Sequence, residues 1–168
     1  MKTLYLVRHA KSSWKKAHLA DIDRPLNSRG KRDAPFMGTL LYEKGIKPDV
    51  LISSPAKRAR KTAFAFAKAL DYPKSQIQLN PTVYEASVQD LFSVINNWDN
   101  QLDSVMLFGH NFSYTYFANL YAKPPLDNVP TAGVVAIEFE VDEWKEVTNK
   151  NGKMLFFEYP KKYLLKLF

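Results

Sequence analysis

Three short runs of this chain are apolar at nearly every position: Thr3 to Val7, Val50 to Ile52 and Val105 to Phe108. A strand with one wet face alternates apolar and polar residues, because successive side chains point to opposite sides. Runs without alternation predict strands buried on both faces, the condition of parallel sheets covered by helices. Val134 to Phe139 and Met154 to Tyr159 read as two further strands, which can form an antiparallel hairpin.

Between the runs the apolar spacing becomes helical. Asn27 or Ser28 is placed to cap a helix reaching about Lys44, with Gly45 after its end, although Pro35 and Gly38 interrupt the pattern. Ser54-Pro55 reads as a capping serine followed by a first-turn proline, after which Ala59, Ala63, Phe66 and Leu70 share a face. Ser87 caps a segment striped by Leu91, Ile95 and Trp98, and Phe112, Tyr116 and Leu120 form a similar stripe after His110. Both stripes read as core. The expectation is one α/β domain over residues 1–168, with helix, sheet and helix layers and a mainly parallel mixed sheet. No repeat, linker, GxGxxG or GxxxxGK[ST] element is visible, so dinucleotide and P-loop readings have no support.

In open sheets of this kind, sites form beyond the carboxyl ends of the strands. The first strand runs into Arg8-His9, the second into Ser53-Ser54-Pro55 with Arg58 about one turn into the next helix, and the third into Gly109-His110-Asn111. The topology brings these side chains to one edge. A phosphomonoester is close to a dianion at neutral pH and repels an anionic nucleophile, whereas a neutral imidazole is not repelled. His9 can attack phosphorus through one ring nitrogen if the other donates to a backbone carbonyl. Arg8 and Arg58 supply planar forks of donors for phosphate oxygens, and His110 a further donor for charge on the equatorial oxygens. His18 follows no strand and reads as a surface residue.

Cysteine is absent, which removes thiol nucleophiles, thiolate metal ligands and disulfides and fits a reducing, cytoplasmic setting. The N-terminus is charged within eight residues, and no stretch reaches membrane-spanning length, so neither secretion nor a membrane partner is expected. Residues 1 to 62 carry fifteen Lys+Arg against five Asp+Glu, and the remainder nine against twelve. The basic excess points to an anionic partner: a phosphate ester, a phosphoprotein or nucleic acid. Nucleic acid ranks last, because the aromatics fall on apparent core stripes rather than among the basic residues.

The segment Leu4-Tyr5-Leu6-Val7-Arg8-His9-Ala10-Lys11-Ser12 resembles the opening of the histidine phosphatase (phosphoglycerate mutase-like) superfamily, and most closely its small SixA-type phosphohistidine phosphatases. Asp23-Arg24-Pro25-Leu26-Asn27 with Arg29-Gly30, Ser53-Ser54-Pro55 with Arg58-Ala59 and Thr62-Ala63, Gly109-His110-Asn111, and Val129-Pro130-Thr131-Ala132-Gly133 extend the resemblance over most of the chain. It implies that His9 is the nucleophile of a phosphohistidine intermediate hydrolysed without metal or other cofactor. Arg8 and Arg58 are then the phosphate-binding arginines and His110 the second pocket histidine. Ala10 replaces a glycine common in the superfamily, leaving the local backbone less free. Glu85 occupies a place similar to the family's general acid; read from the residues alone, it is equally a carboxylate at a helix start. Ser12 and Asn111 are expected phosphate contacts, and Asp23 and Arg24 are expected at the pocket rim.

Few residues separate the motif-bearing strands, which leaves no large lid and favours a phosphoprotein as partner. A small phosphorylated metabolite, turned over by a phosphomonoesterase or a mutase-like transferase, is the alternative, and a non-catalytic phosphate or nucleic-acid binder is a third. Short loops favour a monomer.

Overall fold

The computed structural model describes residues 1–164; residues 165–168 of the expected domain lie outside the described residues. One six-stranded mixed sheet has the order β3-β2-β4-β1-β5-β6. Its strands are β1 (Lys2–Arg8), β2 (Val50–Ser53), β3 (Gln78–Leu79), β4 (Ser104–Gly109), β5 (Val134–Phe139) and β6 (Gly152–Glu158). β1 pairs in parallel with β4 and antiparallel with β5, β2 pairs in parallel with β3 and β4, and β6 closes the antiparallel edge on β5.

The continuous apolar runs follow from burial of both faces. Along β1, Leu4 and Leu6 point into one core cluster and Tyr5 and Val7 into the other. The same division places Val105 and Leu107 of β4 on one face and Met106 and Phe108 on the opposite one. Helices α1 (Ser28–Glu43) and α2 (Lys57–Ala69) cover the Tyr5 face through Met37, Leu41, Ala63 and Phe66. Helices α3 (Val88–Asn96) and α4 (Ser113–Asn119) cover the other through Leu91, Ile95, Tyr114 and Phe117. A short α5 (Pro160–Leu164) follows β6. The three-layer α/β arrangement is therefore present, and the antiparallel β5–β6 pair is formed as expected.

Capping sets the helix starts. Asn27 accepts from Gly30 N–H at the head of α1, which runs through Pro35 to Glu43, and Gly45 follows with φ 78°. Ser87 and Asp90 form a reciprocal capping box on α3. Two expectations fail. Ser54 does not cap α2: the helix begins at Lys57 after Ala56, so Arg58 is its second residue rather than a turn inside. Ser54 Oγ instead accepts from Ala56 N–H at 3.2 Å and lies against His110. The stripe Phe112, Tyr116 and Leu120 is not core, with these residues 72%, 64% and 40% exposed. α4 is aromatic on more than one side, and the face turned to the sheet is Tyr114, Phe117 and Ala118. Periodicity reveals a face without saying which of two the sheet takes. β3, two exposed residues long, gave no apolar signal.

Candidate active site

β1 ends with its backbone bonded to both neighbours. Arg8 N–H donates to Gly133 O at 3.0 Å and His9 N–H to Gly109 O at 2.9 Å, while Ala132 N–H reaches the carbonyls of Arg8 and His9, each at 3.1 Å. The next residue is clamped from α2: Ala10 N–H donates to Thr62 Oγ1 at 2.9 Å, and that hydroxyl donates to Arg58 O. Ala10 is not among the described residues with positive φ, so the superfamily's glycine is not required here. The tight approach lies further on. A Cβ on Gly30 would stand 2.2 Å from Lys11 O, and one on Gly109 would stand 2.4 Å from the Tyr114 hydroxyl. Those two glycines let α1 close upon the loop that follows β1 and α4 upon the last residue of β4.

The strand ends converge on a cavity of about 360 Å³ whose walls include Arg8, His9, Arg58, Glu85 and His110. His9 is buried, and its Nδ1 lies 2.7 Å from Ala10 O. With Nδ1–H donating to that carbonyl, Nε2 carries a lone pair. Burial is the largest influence on the ring; it outweighs the carbonyl bond and, with help from His110, Arg58 and Arg8, lowers the pKa to about 3. The imidazole is therefore neutral. His110 stands with its ring centroid 5.3 Å from that of His9 and its Nε2 2.8 Å from Ser54 Oγ. Burial, then Arg58, lowers its pKa to about 4.

Both arginines are held by groups that leave hydrogens for a ligand. Arg8 Nη1 donates to Val129 O at 2.9 Å, and its buried Nε has no hydrogen-bond partner among the described residues. Arg58 Nη1 donates to Asp21 O at 2.7 Å and Nη2 to Asp21 Oδ2 at 2.9 Å. Asp21 binds three groups at once, since Tyr84 O–H donates to Oδ2 at 2.5 Å and Arg24 Nη1 to Oδ1 at 3.1 Å. The Tyr84 bond first, and Arg58 after it, hold the Asp21 carboxyl down to about 2. Burial first, then Asp21, pushes the Tyr84 hydroxyl up to about 12. Tyr84 also stands edge-on to His110, with ring centroids 5.5 Å apart.

The remaining expected residues divide. Arg24 is buried at the rim, donates to Ser12 Oγ at 2.5 Å and lies 3.2 Å over the ring of Trp14, which is 74% exposed. Ser12 thus lines the cavity with Arg24 already on its hydroxyl. Asn111 lines the cavity too, but its side chain works on α4, Oδ1 accepting from Thr115 N–H and Oγ1. Glu85 is exposed on the cavity wall with φ 58°, a left-handed conformation uncommon for residues other than glycine. It lies ahead of the Ser87 cap, outside α3. Asp23 is exposed and does not line the cavity; Asp21, Tyr84 and Trp14 do, and sequence reasoning passed over all three. They occupy irregular segments where no period marks one residue above another. His18 is exposed, as expected.

The arrangement sets an uncharged, oriented imidazole against three arginines and a second neutral histidine. That set suits attack on the phosphorus of a dianion, with the guanidiniums neutralising its oxygens.

Comparison with known proteins agrees with this chemistry. Residues 4–92 match the family model described as histidine phosphatase superfamily (branch 1). An uncharacterised chloroplastic protein of Arabidopsis thaliana is 26% identical over 159 residues, 90% of this chain and 72% of that protein. Phosphoglycerate mutase 1 of Saccharomyces cerevisiae is 42% identical over 65 residues, 38% of this chain but only 26% of the mutase. A crystal structure from Agrobacterium tumefaciens bearing the name phosphohistidine phosphatase SixA superposes with a TM-score of 0.79 at 27% identity, covering 95% of this chain and 98% of that one.

Proposed function

The chain belongs to the histidine phosphatase superfamily, and from that premise we propose that it is a phosphatase whose nucleophile is His9 and whose favoured substrate is phosphohistidine in a protein. The observation that carries the reading is the His9 ring itself. Its Nδ1–H is tied to Ala10 O, which leaves the lone pair on Nε2; the residue lines the cavity together with Arg8 and Arg58, and burial keeps the ring uncharged.

Nε2 attacks phosphorus as the bond to the leaving nitrogen breaks. The electron pair of that bond departs with the substrate imidazole, which takes a proton from the medium. Water then attacks the phosphorylated His9, its proton passes to solvent, and inorganic phosphate leaves with the ring neutral again. Arg8 and Arg58 bind the phosphoryl oxygens throughout, and His110 donates to one equatorial oxygen. No metal step is needed, because the guanidiniums carry the positive charge that a metal supplies elsewhere.

Support for a protein substrate comes from the surface. Phe112, Tyr116 and Leu120 are exposed on α4 and at its two caps, in the segment that directly follows His110 and Asn111 of the cavity wall, and exposed apolar side chains next to a site in the chain suit a macromolecular partner. The small-molecule reading, as a phosphomonoesterase or mutase-like transferase, is favoured by Glu85. An alkoxide leaves badly and needs a proton, and Glu85, a carboxyl on the cavity wall with a left-handed backbone, supports that reading as the donor.

The test compares a phosphohistidine protein with sugar and glycerate phosphates, with EDTA present throughout. Rapid release of phosphate from the former, and acid-labile phosphate trapped on His9, are expected. Turnover of a metabolite alone would move the reading to the second hypothesis. Full activity in His9→Ala would remove the nucleophile assignment.

A further inference from the structure

Beside the catalytic cavity lies a second one, of about 320 Å³, to which Lys11, Arg29, Arg32 and Lys161 contribute cations. Arg8, Lys11 and Thr131 line both, so the two spaces share a wall. The proposed reaction uses neither Arg29, Arg32 nor Lys161.

The two α1 arginines, whose side chains are 43% and 58% exposed, are tethered to a buried carboxylate. Asp33 is 1% exposed and pairs with both: Arg29 Nε stands 3.5 Å from Oδ2, and Arg32 Nη2 2.9 Å from Oδ1. Arg29 Nη2 also donates to Thr131 Oγ1 at 3.2 Å, on the shared wall. A buried carboxylate thus anchors two guanidiniums along the cavity, which reduces the ordering of long side chains that binding requires. One carboxylate against the cations of Lys11, Arg29, Arg32, Lys161 and Arg8 leaves the cavity strongly positive. Of these five only Arg8 and Lys11 also line the catalytic cavity; Arg29, Arg32 and Lys161 lie on the far side of the shared wall, where the transferred phosphoryl group gives them no charge to meet.

We propose that this second cavity is an anion subsite that holds a carboxylate or phosphate carried by the same molecule as the transferred phosphoryl group. The inference rests on the phosphatase reading and deepens it: the substrate bears two anionic groups, one for His9 and one for the α1 arginines. In a phosphoprotein the second is the carboxylate of an acidic neighbour of the phosphohistidine; in a metabolite it is a second phosphate.

Two synthetic phosphohistidine peptides, flanked by glutamates or by glutamines, separate the subsite from the reaction, with p-nitrophenyl phosphate as a single-anion substrate. Arg32→Gln and Lys161→Glu are each expected to raise KM for the glutamate peptide about tenfold, the weight of one charge-assisted contact. Both should leave kcat/KM for the glutamine peptide and for p-nitrophenyl phosphate within about twofold, as expected when a charge-assisted contact to a second group alone is lost. Calorimetric Kd values for alkane bisphosphates of three to six carbons, against methyl phosphate, read the same subsite without turnover. A loss confined to the bisphosphates supports the subsite and assigns it to a second phosphate. The subsite is overturned if neither variant distinguishes glutamate from glutamine peptides or bisphosphate from methyl phosphate. Absence of hydrolysis of every substrate by the unaltered protein, with bisphosphate binding still sensitive to Arg32→Gln, would remove the phosphatase reading and leave the subsite standing.

Discussion

At the scale of single residues, the site depends on two histidines being kept uncharged. Their ordinary pKa of 6.5 falls to about 3 for His9 and about 4 for His110, chiefly through burial. An unfolded chain protonates both near 6.5, so between that pH and about 4 the unfolded state binds more protons than the folded one. Stability therefore rises with pH across this window and is lost as pH falls through it. Urea midpoints should drop steadily from pH 7 to pH 4.5, while the ring proton resonances of His9 and His110 stay unmoved between pH 8 and pH 5. Midsized shifts of either ring near pH 6.5 would contradict the burial argument. Asp21 works through Arg58, both of whose terminal nitrogens it binds. Asp21→Ala should lower kcat/KM about tenfold, the sort of loss that a misplaced guanidinium brings. Asp21→Asn, which keeps an acceptor at the same place, should recover most of it; equal losses would show that Asp21 does not act by position.

At the scale of elements, close approach decides what can be changed. Gly30 in α1 faces Lys11 O across 2.2 Å from the position of a Cβ, and a backbone carbonyl cannot swing aside as a side-chain tip can. Gly30→Ala should cost about 1–3 kcal/mol in denaturant unfolding and shift the loop after His9. An unchanged midpoint would show that α1 is free to slide. Much of this was legible beforehand. Strands buried on both faces leave unbroken apolar runs, and that signal located β1, β2, β4 and β5 and hence the residues at their ends. Asn27 and Ser87 were legible because a cap is a local bond between neighbours in sequence. Ser54 looked the same and was not, since its hydroxyl lies against His110, 56 residues away, which no local pattern records. Asp21 was illegible for the same reason: its partners Arg58 and Tyr84 are 37 and 63 residues distant. α4 misled by carrying apolar residues on two faces.

At the scale of the whole molecule, the exposed face of α4 and the basic first third both concern what approaches the cavity. Replacing Phe112, Tyr116 and Leu120 together by serine should lower kcat/KM for a phosphohistidine protein about tenfold and leave that for p-nitrophenyl phosphate unchanged, the pattern of a docking contact. Loss on both substrates would place the stripe in the reaction instead. A further consequence follows from where β1 lies. It is an interior strand, and the amides of Arg8 at its end and His9 just beyond are bonded to the residue before β5 and to the last residue of β4. Enzymes often keep their chemistry on segments that fray before the body of the fold does. Here the reacting ring stands directly after one of the two central strands, so the nucleophile keeps its place until the sheet itself opens. Amide hydrogens of Arg8 and His9 should exchange as slowly as those of Leu6 and Leu107, and activity in rising urea should disappear along the same curve as the native fluorescence. Catalysis in this chain would then serve as a gauge of foldedness: a molecule that has begun to come apart goes on working until the sheet itself gives way.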